Sequence, residues 1–149
     1  MNTQPSQPTA PAVDRAPFFA LRLTILVVTA AGCLVASAFH AGLTLPIGSV
    51  TLAEHPIAPA AVVEGVIGLL LAASAVAQAT GQRWARQLTL NAYLIGIAGF
   101  ILGIAIVVRT PEIQTPFNVG VHLGIFPLLI AGLLLELAAW RGERRATGA

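Results

Sequence analysis

The side chains that could do chemistry stand in apolar surroundings. His40 closes one hydrophobic run, Glu64 lies five residues inside the next, and Asn118 and His122 open the last. A lone carboxylate within a membrane span is costly and marks a candidate functional position that needs a partner. Two imidazoles and a carboxylate match the ligand set of a zinc or non-haem iron site that keeps positions open for water or substrate. His40, Glu64 and His122 are therefore candidate metal ligands, and His55 could complete the set from a loop. No His-x-x-His or Glu-x-x-His pair strengthens the pattern.

Two other chemistries use the same residues. A b-type haem held by His40 and His122 would find room beside Gly120 and Gly124, which flank His122. A quinone-head or proton site would have Glu64 and His122 exchange protons, with Arg109 holding Glu64 ionised or fixing an anionic ligand. Asn118 shares a helical face with His122, four residues on. The cofactor-binding candidates are thus His40, Glu64, His122, Asn118 and Arg109, and the expected cofactor is a metal ion or haem b. The same groups can instead satisfy one another and pin helix ends together.

These residues are positioned by four apolar runs, each near the roughly 20 residues needed to cross a bilayer core. The spans cover about 18–42, 59–80, 87–108 and 117–140. The chain has 149 residues, of which 56% are hydrophobic and only 9% charged, against about 25% charged in a soluble domain. The mean hydropathy is +0.84. Tails and short loops make up the polar remainder, which leaves no room for a separate soluble catalytic domain. The fold expected is an all-α integral membrane protein, an up-down-up-down bundle of four transmembrane helices.

Orientation follows from the arginines. Arg15, Arg22, Arg83, Arg86, Arg141, Arg144 and Arg145 belong to one side and Arg109 alone to the other, which places both termini in the cytoplasm of a cell inner membrane. His40, Glu54, His55, Glu64, Arg109, Glu112, Asn118 and His122 then gather at the outer side. At 1.5 Å per residue, Glu64 and His122 each sit about 7 to 8 Å below an outer helix end. One helical stripe below His40 runs Ser37, Cys33 and Thr29, small side chains suited to a bundle interior. Glu136 lies near the opposite end, where it snorkels or pairs with Arg22, Arg83 or Arg86. Gln78, Gln82, Asn91 and Tyr93 are ordinary inner-interface residues on this reading.

Residues 1–17, rich in Pro, Gln, Ser and Thr, read as a disordered cytoplasmic tail, and residues 141–149 as a basic one. Val35-Ala-Ser-Ala38 fits a small-residue cleavage pattern, but the run before it is long for a signal peptide. Between the first two spans, Pro46 and Gly48 among β-compatible residues suggest a short hairpin over the bundle end. Gly68, Ala72, Ala75 and Ala79 in span two, and Gly96, Gly99 and Gly103 in span three, read as helix-contact faces.

Composition also excludes classes. The single Cys33 rules out an intrachain disulfide and a CxxC redox pair. Basic residues at helix ends, with no continuous basic stripe, argue against nucleic acid as a partner. No nucleophile motif, phosphate loop or paired catalytic carboxylates appear. A transporter would need a homo-oligomer, because four helices are few for a complete pathway. Two readings remain: a small membrane protein whose His/Glu/His cluster binds a metal, haem, quinone or proton, or an accessory or assembly subunit of a larger membrane complex. In the second reading, the glycine faces dock on partners.

Overall fold

The computed structural model describes residues 18–147. The segment expected as a tail, residues 1–17, lies outside them. Four helices dominate: α1 (Phe19–His40), α2 (Ala58–Ala79), α3 (Ala85–Arg109) and α4 (Pro116–Thr147). All four are long and apolar enough to cross a membrane, and together they form an all-α, multi-pass membrane-spanning bundle. Each helix packs against its neighbours in sequence, and α4 closes back on α1.

Lipid as a solvent explains the distribution of apolar residues. Leu69, Leu102, Leu123 and Leu134 are exposed on the outside of the bundle, where hydrocarbon replaces water. With apolar groups on both faces, burial in the protein offers little hydrophobic gain, so close packing and interhelical hydrogen bonds must hold the helices together. The interior mixes Leu26, Cys33, Ile67, Leu71, Tyr93, Phe100 and Leu129. Helices α1 and α2 approach closely at Gly68, where an added Cβ would lie 2.7 Å from Leu34 Cγ and 3.1 Å from the Leu34 backbone nitrogen. One turn away, Ser37 Oγ donates to the Ala61 carbonyl at 2.7 Å.

The connection after α1 is a hairpin of β1 (Thr44–Ile47) and β2 (Val50–Ala53), antiparallel and registered from Thr44↔Ala53 to Ile47↔Val50. Gly48 at φ +60° supplies the first corner of its two-residue turn, as turns matching strand twist require. All eight strand residues are exposed. Beyond the hairpin, the Ile57 amide donates to the His40 carbonyl at 2.9 Å, which ties the entry of α2 to the last residue of α1. After α2, Gly81 at φ +68° terminates the helix while Gln82 N donates to Ala77 O, a Schellman ending. A 3-10 turn, Pro111–Ile113, joins α3 to α4.

Helix α4 differs from the sequence expectation in length. It runs unbroken past Pro127 and Trp140 and carries Arg141, Arg144 and Arg145 on its final turns. Contacts there favour continued helix: the Arg144 guanidinium lies 4.2 Å over the Trp140 ring, and Arg86 pairs with Glu143.

Candidate functional site

At the hairpin end of the bundle, the C-terminus of α1 meets the first turns of α2. His40 Nδ1 donates to Glu64 Oε2 at 2.7 Å, with both residues buried. The Ile57–His40 backbone bond sets this register. The inward stripe proposed below His40 is present: Thr29 and Cys33 are fully buried, and Ser37 is half-buried against α2.

His122 takes a different direction. Its Nδ1 donates to the Asn118 carbonyl of its own helix at 2.8 Å, and its ring sits 5.3 Å from Phe100. Gly103 of α3 makes room for it, since a Cβ there would lie 2.6 Å from His122 Nε2. The histidine is thus locked between α3 and α4, while His40 is locked between α1 and α2. Among the described residues no group of three or more His, Cys, Asp or Glu is placed to hold a metal ion. The expected His40–Glu64–His122 ligand set is therefore not assembled, because each imidazole already has a partner on a different side of the bundle.

The remaining candidates also separate. Arg109, at the end of α3, is exposed, and the partner of Glu64 is His40 rather than Arg109. His55 is exposed in the segment after β2. Gly120 and Gly124 open away from the bundle, with no atom within 4 Å of an added Cβ, not onto the space facing His40. Glu54, at the same end, is half-buried with Oε1 unpartnered.

Asn118 lies near both His122 and Glu64. These three residues line one cavity of about 230 Å³ between α2, α3 and α4, with mostly apolar walls that include Val63, Phe100 and Leu102. Asn118 is 2% exposed. Its Nδ2 donates to the Ile113 carbonyl at 2.9 Å, whereas its Oδ1 is buried without a partner.

The opposite end of the bundle holds a network that sequence reasoning reached only in part. Arg22 grips Glu136 through two contacts, one of them Nε to Oε1 at 3.1 Å. Gln78 Nε2 donates to Glu136 Oε1 at 2.8 Å and to Thr89 Oγ1 at 3.0 Å. Arg22, Gln78, Thr89 and Glu136 come one from each helix, so a single hydrogen-bonded cluster joins all four. Arg22 and Glu136 are 5% and 1% exposed. Glu136 pairs with Arg22, one of the three arginines considered for it, but it is buried and does not snorkel. Gln78, which the sequence places among ordinary interface residues, is a bridging member of the cluster. The signal that could have found the cluster is depth: Arg22 lies inside its apolar run as Glu64 does, and a buried cation needs an anion at the same level.

No family model, curated protein or solved structure matches this chain, so the functional argument rests on its own residues.

Proposed function

We propose that this chain is a non-catalytic accessory or assembly subunit of a larger membrane complex, with its buried polar groups serving as fasteners between helices. The Arg22–Gln78–Thr89–Glu136 network carries this reading. Its members bond across all four helices, with Gln78 Oε1 left unpartnered, and the His40–Glu64 pair joins two helices at the far end, with His40 Nε2 left unpartnered. Polar groups bonded across helices hold them in one arrangement, and that is what a subunit presenting a fixed lipid-facing surface requires.

The glycines anticipated as docking faces are used internally. Gly96 faces Leu129 and Ile67, Gly99 faces Ile67 and Val63, and Gly103 faces His122. The face left for a partner is on α4, where Gly120 and Gly124 lie one turn apart and open outward beside exposed Leu123. Glycines four apart allow another transmembrane helix to approach closely. In this proposal the helices run up-down-up-down in an inner membrane with both termini cytoplasmic, because seven of the eight arginines flank one face. The test is blue-native electrophoresis of mildly solubilised native membranes, comparing wild type with Gly120→Leu/Gly124→Leu. A high-mass band for wild type and a low-mass band for the variant are expected. Identical migration of the two would reject the α4 face.

A further inference from the structure

The end of the bundle that holds the Arg22–Glu136 cluster also opens into a second cavity, of about 600 Å³, between the α2–α3 turn, the start of α1 and the late turns of α4. Its place in the fold sets its depth. Gly81 and Gln82 on its wall follow the last turn of α2, Ala85 opens α3 and Phe19 opens α1, so it lies where apolar helices give way to a polar turn. In a bilayer that is the headgroup level. Trp140, also on the wall, suits the same level, since tryptophan gathers at the membrane–water interface.

Charge and access narrow the occupant. Among the described residues, Arg22, Arg83 and Arg86 line this cavity against one acid, Glu143. Glu136 balances Arg22 and Glu143 balances Arg86, whereas Arg83 is exposed and meets no acid among the described residues. One positive charge is left over, which a monoanion would offset. The donors are within reach of an occupant. The Arg86 side chain is 38% exposed despite its pairing, and Arg22 commits Nε and Nη2 to Glu136 while its Nη1 is neither bonded nor sealed from solvent. Gln78 Oε1 and Arg86 Nε are sealed and take no part. Guanidinium groups match the oxygens of a phosphate. Beside them, Leu90 and Trp140 add an apolar wall, so the fitting occupant carries its anion on an apolar body.

We propose that this cavity binds the phosphate ester of an anionic phospholipid, with the phosphate held by Arg83 and Arg86 and the glycerol backbone lying along Leu90 and Trp140. Basic pockets between transmembrane helices at headgroup depth suit such ligands. A soluble phosphate ester would satisfy the arginines but leave the apolar wall uncovered. The site needs no partner subunit, so it stands or falls separately from the assembly role.

The test titrates the full chain, delipidated in a mild non-ionic detergent, with phosphatidylglycerol or with phosphatidylcholine of the same acyl chains, and reads the lipid adducts by native mass spectrometry. One phosphatidylglycerol per chain is expected at concentrations where phosphatidylcholine, whose choline cation opposes the arginines, gives little adduct. Arg83→Gln should weaken phosphatidylglycerol binding about fivefold, the usual worth of one arginine beside an anionic headgroup, and Arg83→Gln/Arg86→Gln should reduce it to the phosphatidylcholine level. Gln82→Trp, which fills the cavity from the turn without changing charge, should also prevent the adduct, and it decides the matter if Arg86→Gln lowers the thermal midpoint. Arg141→Gln/Arg145→Gln, on exposed residues of α4 outside the cavity, should leave binding unchanged. Equal adducts of the two lipids would overturn the proposal, as would an equal loss in the Arg141/Arg145 variant, which would mean diffuse attraction to a basic helix end. Displacement of phosphatidylglycerol by an equal concentration of sn-glycerol 3-phosphate would overturn it in favour of a soluble phosphate ester.

Discussion

His40 and Glu64 illustrate how far a single residue's depth can be interpreted. Both stand at the same level on adjacent helices, so their meeting at 2.7 Å follows from the length of the loop and from the apolar medium, which penalises either group alone. Double-mutant cycles on interhelical polar pairs in membranes average about 0.6 kcal/mol and reach about 1.7. The coupling between His40 and Glu64, measured with His40→Ala, Glu64→Ala and the double variant by reversible unfolding in bilayers, should fall within that range. Each single substitution should cost more than the coupling, because it leaves a buried polar group without its partner. Additive single effects would mean that the pair does not fasten α1 to α2. The direction of His122 was not legible in the sequence. Its choice between Glu64 and the Asn118 carbonyl of its own helix depends on ring rotation and on the space at Gly103, and neither follows from residue spacing. Likewise, Gln78 resembles any interfacial glutamine until α2 and α4 are docked and Glu136 falls within 2.8 Å.

At the level of elements, four apolar runs separated by short polar loops were sufficient to expect four helices, and Pro46 and Gly48 were sufficient to expect the hairpin. What the runs concealed was which glycines face inward. In water, a polar face would mark the outside of a helix; in lipid, both faces are apolar, so Gly68 and Gly120 look alike in the sequence. The structure separates them, with Gly68 against Leu34 and Gly120 in the open. Gly68→Leu should therefore destabilise the isolated subunit by about 1–3 kcal/mol, the usual cost of overpacking, because the α1–α2 contact must open. Gly120→Leu should change it by no more than about 0.5 kcal/mol, as for other surface substitutions. Thermal unfolding of the two variants in the same detergent checks the difference. Equal losses would contradict the assignment of inner and outer faces.

For the whole molecule, the two polar clusters lie at opposite ends of the bundle, and between them the helices are held mainly by close packing, as at Gly68 and Gly96. On the proposed assembly role, a bundle fastened in this way presents one fixed face of α4 to a partner. Native mass spectrometry of the protein released from its own membranes tests it most directly. The assembly reading predicts a species well above the 15.4 kDa of a single chain, with masses that are not simple multiples of it, and a return to 15.4 kDa for Gly120→Leu/Gly124→Leu. A wild-type protein that appears only as a lone 15.4 kDa chain would contradict it.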